Sequence, residues 1–130
     1  NSYDGPALIV AYSPCQQHGM PAKLGMSHQP EEQRKAVESG YWPLYRYDPR
    51  RREKGENPFQ LDFKKLKIQV SEFLEGENRF AMLDRANPEK AKMLHEELQK
   101  EVEKRHAERV RMAMSDKQLY KELKKTYGKK

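Results

Sequence analysis

The stretch Ala7-Leu8-Ile9-Val10-Ala11-Tyr12 is followed directly by Ser13-Pro14-Cys15-Gln16-Gln17-His18-Gly19. Six consecutive apolar residues, two of them β-branched, predict a short strand that is buried on both faces. The strand has to end near Pro14, because proline has no backbone N–H to donate to a neighbouring strand. The single cysteine of the chain, Cys15, is therefore predicted just past the carboxyl end of a strand. In open α/β sheets this edge is where ligands and cofactors bind.

Three roles for Cys15 follow from the residues alone. A lone cysteine is most often a small buried core residue. A metal ligand is the second interpretation, since His18 and His28 supply further donors, but the spacing Cys-x2-His-x9-His matches no common closed zinc site. A catalytic nucleophile is the least favoured, because no base is fixed beside it in the sequence. Both histidines are predicted to be hydrogen-bonded loop residues without a metal role.

The composition favours a segment of a larger protein over a self-sufficient domain. Of the 130 residues, 35% are hydrophobic and 35% are charged, so a core built from this chain alone would be thin. The sequence begins at Asn1 without an initiator methionine and soon enters the predicted strand. We therefore expect strands outside these residues to cover that strand, because its backbone groups would otherwise be unpaired.

Cysteine usage and hydropathy bear on the cellular compartment. One cysteine excludes an internal disulfide and fits a reducing environment. No stretch has the pattern of a signal peptide, and no apolar run approaches the roughly 18 residues that a membrane helix needs. We expect a cytoplasmic protein that has no membrane partner.

The net charge of +6 belongs to the second part of the chain. Residues 1–40 carry three basic and four acidic side chains, whereas residues 41–130 carry 23 and 16. The triplet Arg50-Arg51-Arg52 and the lysine-rich C-terminal end would attract an acidic partner. A small basic module that binds nucleic acid or an acidic electron carrier is thus an alternative function. An ordinary solvated surface is the simpler explanation, and nucleic acid is not favoured.

Short elements are predicted up to residue 62. A helix over residues 31–39 has only Ala36 and Val37 on its apolar face, which is typical of a surface helix. Residues 41–47 alternate as a strand does, and residues 59–61 form a second short strand. These two segments predict a small two-strand unit.

Helical periodicity takes over from Lys64 onward. A first helical stretch is interrupted near Gly76, and Asn87-Pro88-Glu89 supplies a cap, a first-turn proline and an acid to start a long helix. Apolar side chains over residues 91–114 recur mostly at steps of four, so the stripe winds around the helix. This favours a helix lying across a curved surface over a straight coiled coil. The capping-box spacing in Ser115-Asp116-Lys117-Gln118 begins a last helix.

Several stretches carry a resemblance to a known family. They are Ala11-Tyr12-Ser13-Pro14-Cys15, His18-Gly19-Met20, Gly25-Met26-Ser27-His28-Gln29, residues 36–49, Gly55-Glu56-Asn57-Pro58-Phe59-Gln60-Leu61-Asp62 and, more loosely, Phe73-Leu74, Asn78-Arg79-Phe80 and Leu83-Asp84-Arg85. In these stretches the chain resembles the carboxyl-terminal part of the pyruvate:ferredoxin (flavodoxin) oxidoreductases. The likeness is close up to about residue 62 and looser as far as Pro88.

The resemblance implies an enzyme function that needs more than this chain. In that family the cysteine matching Cys15 is a thiolate ligand of the 4Fe-4S cluster nearest the thiamine pyrophosphate, and its three partner cysteines lie upstream. The complete enzyme, with Mg²⁺ on the thiamine diphosphate, converts pyruvate and coenzyme A to acetyl-CoA and reduces ferredoxin or flavodoxin. With one cysteine and no phosphate-binding loop, the isolated chain is expected to hold no cofactor and to be inactive.

The resulting fold class is an α/β segment: one buried strand, a two-strand unit and a long, mostly helical C-terminal arm. The resemblance assigns residues 1–62 to the end of the thiamine pyrophosphate and iron–sulfur domain and residues 63–130 to the arm. The remainder of the enzyme and its dimer mate are the implied partners. An independently folded scaffold with an inert buried thiol at Cys15 is a further alternative.

Overall fold

A computed structural model describes residues 3–15, 19 and 25–127 of the chain. Within these ranges, the secondary structure is mostly helical, with one small sheet. In chain order the elements are a 3-10 helix (Met26–His28), helix α1 (Gln29–Glu38), strand β1 (Tyr45–Tyr47), a second 3-10 helix (Pro49–Lys54), strand β2 (Phe59–Leu61), and helices α2 (Val70–Leu74), α3 (Asn78–Ala86), α4 (Pro88–Met112) and α5 (Asp116–Tyr127). The predicted two-strand unit and helical C-terminal arm are confirmed.

The predicted buried strand over residues 7–12 does not form in this chain. Residues 7–12 adopt no regular structure, and the side chains of Leu8, Ile9 and Val10 are 89%, 87% and 68% exposed. A strand of this kind is stable only where neighbouring strands satisfy its backbone groups. The sheet of the described residues contains just β1 and β2, which pair with each other. This part of the prediction is corrected, because the described residues offer the segment no partner strand.

The two-strand unit is antiparallel, and only its second strand has buried side chains. Tyr45 lies opposite Leu61 and Tyr47 opposite Phe59, and the rings of Tyr45 and Phe59 stack with centroids 5.3 Å apart. Phe59 and Leu61 are buried, whereas the side chains of β1 are exposed. The first strand is shorter than predicted from residues 41–47, since Pro43 has no N–H for the ladder.

Helix α1 is confirmed close to its predicted bounds, but it is not a surface helix. Ala36 is completely buried, and the carboxyl-bearing residues Glu32 and Glu38 are only 3% and 7% exposed. Glu32, Ala36 and Ser39 lie on one face, because residues four and three positions apart are neighbours on a helix. That face packs against α2. The buried side of α1 is thus largely polar, and a search for apolar residues alone missed it.

The core lies where α1, α2 and α4 meet. Its buried members are Ala36, Val70, Phe73, Leu74 and Val102. Helices α2 and α3 are separated around Gly76, as predicted. The core therefore draws on both sides of the proposed boundary at residue 62, and that boundary stays a prediction.

Helix α4 runs for 25 residues across the other elements. It packs against α2, α3 and β2, and it buries Ala91 and Val102. Its start is confirmed, since the side chain of Asn87 accepts a hydrogen bond of 3.1 Å from the Lys90 N–H. The capping box at Ser115 and Gln118 is also present at the start of α5. None of the described helices, α4 included, is both long and apolar enough to cross a membrane.

Candidate functional site around Cys15

Cys15 is half-buried and stands on a turn that is tied to the helical part of the chain. The residue before it, Pro14, is buried. The Gly19 N–H donates a 2.8 Å hydrogen bond to the Cys15 carbonyl oxygen, and the Asn78 N–H donates one of 2.7 Å to the Gly19 carbonyl oxygen. Main-chain hydrogen bonds thereby connect the cysteine segment to the first residue of α3.

Gly19 is required by close packing on its buried side. A Cβ atom at this position would lie 2.7 Å from the Cys15 carbonyl oxygen and 2.9 Å from Oε2 of Glu77. These separations are shorter than ordinary van der Waals contact, so a side chain would force the turn and the carboxylate apart. Glycine is the residue that lets the backbone approach this closely.

The carboxylate of Glu77 lies under the turn and is 5% exposed. Its Oε1 accepts a 2.9 Å hydrogen bond from the Tyr12 hydroxyl, and its Oε2 faces Gly19. Burial, together with the hydrogen bond to Glu77, raises the pKa of Tyr12 well above its ordinary value of 10. The hydroxyl therefore remains a donor at neutral pH, and it satisfies one oxygen of the buried acid.

Tyr12 fixes the cysteine segment to the rest of the chain by aromatic contacts. Its ring centroid is 5.5 Å from that of Trp42, 6.3 Å from that of Phe73 and 6.4 Å from that of Tyr41. Tilted and edge-to-face pairs at these separations are favourable. Residues 7–11 before it are exposed, so the aromatic contacts hold the cysteine segment but not the apolar run.

A second buried acid, Glu32, lies nearby on α1. Its carboxyl group packs against Gly76, where a Cβ atom would overlap it. Lys35 Nζ is 3.9 Å from one oxygen, while Oε1 has no hydrogen-bond partner among the described residues. Burial raises the pKa of Glu32, and the negative charge of Glu77 raises it further, whereas Lys35 lowers it.

The structure places the other predicted donors as follows. His28 is exposed, with its Nδ1 3.3 Å from the Ser27 hydroxyl, whereas His18 lies outside the described residues. In the described ranges no three His, Cys, Asp or Glu side chains are grouped so as to hold a metal ion.

The arginine triplet is engaged within the chain. Arg50 forms a 2.7 Å ion pair with Asp48, and Arg51 forms one of 3.0 Å with Glu56. Hydrogen bonds from the Arg50 side chain lower the pKa of Asp48 to about 2. The guanidinium of Arg52 lies over an aromatic ring of β1. These contacts support a structural role for the triplet in the loop between β1 and β2.

Tyr12, Glu32 and Glu77 were not singled out from the sequence. Glu32 could have been noticed from its position four residues before Ala36, on the face that α1 buries. Glu77 follows Gly76, which the sequence marked only as a helix interruption. Glu77 is buried beside Gly19 and Tyr12, which lie 58 and 65 positions earlier in the chain. A local sequence pattern cannot reveal contacts over such distances.

Comparison with known proteins shows what the chain is similar to. No protein-family model matches it. It is 49% identical over 92 residues (71% of this chain, 8% of the relative) to a pyruvate:ferredoxin oxidoreductase of Moorella thermoacetica. It is 46% identical over 97 residues (75% and 5%) to a mitochondrial pyruvate dehydrogenase (NADP(+)) of Euglena gracilis. A probable pyruvate-flavodoxin oxidoreductase of Escherichia coli strain K12 is 40% identical over 105 residues (81% and 9%).

These relatives bear out the resemblance found in the sequence. The three proteins are named as oxidoreductases or dehydrogenases of pyruvate. The chain spans between 5% and 9% of their lengths, so it corresponds to one small segment of each.

Proposed function

Because this chain is homologous to one segment of the pyruvate:ferredoxin and pyruvate-flavodoxin oxidoreductases, we propose that it works as part of such an enzyme. In this proposal Cys15 supplies one thiolate ligand of a 4Fe-4S cluster. The complete enzyme converts pyruvate and coenzyme A to acetyl-CoA and passes the electrons to ferredoxin or flavodoxin. Thiamine pyrophosphate with Mg²⁺ supplies the decarboxylation chemistry when bound.

The donor set of the chain fits one corner of such a cluster. A 4Fe-4S cluster takes four thiolates, and the chain contains one cysteine. Cys15 is half-buried, the Gly19 N–H donates a hydrogen bond to its carbonyl oxygen, and Glu77 packs beside Gly19. This placement of Cys15 is the observation that carries the proposal. It follows that the isolated chain holds no cluster and has no activity.

The exposed run at Leu8, Ile9 and Val10 supports the same proposal. These three large apolar side chains are each more than two-thirds exposed. Keeping apolar surface in water costs about 25 cal/mol of free energy per Å² relative to burying it. A sheet contributed by the remainder of the enzyme would bury them and pair their backbone groups. The remainder of the enzyme and its dimer mate are thus the proposed partners.

We place the enzyme in the cytoplasm, since a chain with a single cysteine fits a reducing compartment. Nothing in the described surface favours nucleic acid over this function. Arg50 and Arg51 form ion pairs with acids of their own loop.

The test of the proposal compares Cys15→Ala with the wild-type form of the complete enzyme. We expect the variant to lose about four iron atoms per polypeptide and the electron paramagnetic resonance signal of one reduced cluster. Ser13→Ala is the matched control, because Ser13 is exposed two residues away, and it should keep both. Unchanged iron content and spectrum in Cys15→Ala would contradict the proposal.

A further inference from the structure

We propose that Glu77 is a positioning residue for Cys15, an inference that rests on the proposed role of Cys15 as a cluster ligand. Its carboxylate contacts the chain on both sides of the cysteine. Tyr12 lies three residues before Cys15, and Gly19 lies four residues after it. One side chain thereby accepts a hydrogen bond from the residue before the thiol and packs beside the residue after it.

Glu77 can serve as a support because its own position is fixed. Its N–H donates a 3.0 Å hydrogen bond to the Leu74 carbonyl oxygen, and its carbonyl oxygen accepts hydrogen bonds from Phe80 and Ala81 at 3.0 and 3.2 Å. Leu74 is 1% exposed and belongs to the core. The turn is therefore held by a residue whose backbone is anchored in the most buried part of the chain.

The shape of the site selects a side chain of the length of glutamate with an oxygen at its end. A shorter or apolar side chain would leave the half-buried Tyr12 hydroxyl without this acceptor. The absence of a Cβ at Gly19 leaves the room in which the second oxygen lies. Glutamine has the same shape and keeps an acceptor for Tyr12, but it has no charge.

Precise support matters for a cluster ligand. The ligands of a metal or cluster are held in productive geometry by residues that pack against them and bind them by hydrogen bonds. Without the Glu77 side chain, the hydrogen bond from Tyr12 and the packing beside Gly19 are lost together, and the main-chain hydrogen bond from Asn78 is left to hold Gly19. The Cys15 turn would then open more often, although the cysteine itself is unchanged.

The experiment measures the rate at which dithionitrobenzoate labels Cys15 in the folded 130-residue chain. We expect Glu77→Ala to be labelled about tenfold faster than wild type, which corresponds to about 1.4 kcal/mol of turn opening. Glu77→Gln should restore the wild-type rate, because it keeps the contacts. Glu97→Ala, which changes an exposed glutamate on α4, is the matched control. Equal rates for Glu77→Ala and Glu97→Ala, or for Glu77→Ala and Glu77→Gln, would overturn the proposal.

A milder variant keeps the test valid if Glu77→Ala does not fold. Tyr12→Phe removes one hydroxyl and leaves the ring in its aromatic cluster, so its thermal transition should persist. We expect its labelling rate to lie above that of wild type, and an unchanged rate would count against Glu77 as a support.

The labelling does not depend on iron, so the two proposals can fail separately. If Cys15→Ala keeps all its iron in the complete enzyme, the cluster-ligand role is wrong whatever the labelling rates are. If Cys15→Ala loses iron but the labelling rates are equal, only the role of Glu77 is wrong. If both proposals are correct, we expect the complete enzyme to keep its cluster in Glu77→Gln and to lose it in Glu77→Ala.

Discussion

At the scale of the residue, the Glu32 carboxyl group has an unfavourable placement. It is buried against Gly76, and one of its oxygens has no partner among the described residues. Lys35, at 3.9 Å, is the nearest balancing charge. Burying a charged carboxylate with so little compensation is costly, so the group binds its proton more tightly than it would in the unfolded chain.

This placement predicts how stability depends on pH. Because the pKa of Glu32 is higher in the folded chain than its ordinary value of 4.5, the folded state binds more protons between the two values. The contribution of Glu32 to stability is therefore fully present below the ordinary pKa and is lost as pH rises through the raised one. We expect Glu32→Gln to abolish this loss and to be more stable than wild type at neutral pH, as measured by urea unfolding.

Glu31→Gln is the matched control, and its effect has the opposite sign. The hydrogen bond from Arg34 lowers the pKa of the neighbouring Glu31, so the contribution of Glu31 is present above its ordinary pKa and is lost as pH falls. Glu31→Gln should therefore lower the free energy of unfolding slightly at neutral pH. If Glu32→Gln kept the wild-type pH dependence, the buried carboxyl group would not be the cause.

At the scale of the element, local chemistry explains which predictions succeeded. The start of α4 at Pro88 and the start of α5 at Asp116 were predictable because a cap binds backbone groups within three residues of itself. The break between α2 and α3 was predictable because a glycine, Gly76, interrupts the helical pattern there. The strand over residues 7–12 was not, since pairing depends on partner strands that the described residues do not contain.

The candidate site shows the same limit. The sequence and its resemblance to a family single out Cys15, but they do not show what lies beneath it. Glu77 becomes part of the site through a contact with Tyr12, 65 positions away in sequence, and Glu32 through packing on Gly76. Such contacts are set by tertiary packing and leave no trace in helical or strand periodicity.

The cap of α4 gives a prediction at this scale. Asn87→Ala removes the acceptor for the Lys90 N–H and should lower the free energy of unfolding by about 1 kcal/mol. Asn87→Asp keeps the acceptor and adds a negative charge at the positive end of the helix, so it should be at least as stable as wild type. Thermal unfolding of the three forms checks this. Equal melting temperatures for Asn87→Ala and Asn87→Asp would show that the cap contributes nothing.

At the scale of the whole molecule, burial is distributed unevenly along the chain. Val70, Phe73 and Leu74 are at most 1% exposed, whereas Leu8 and Ile9 are nearly 90% exposed. An apolar run is normally what a fold buries first, because its transfer from water is the main driving force of folding. Here the helical part forms a core without it. In the part of the chain that the structure describes, the run is left exposed.

This division predicts that one substitution acts differently in two contexts. Ile9→Lys should leave the melting temperature of the 130-residue chain unchanged, because the side chain is 87% exposed, and should reduce self-association in light scattering. In the complete enzyme the same change places a charge in the proposed sheet, so it should lower the yield of folded protein. Val70→Ala, at a fully buried position, is the contrasting variant and should cost roughly 2 kcal/mol in either context. If Ile9→Lys were tolerated equally in both, the apolar run would not be covered by the rest of the enzyme.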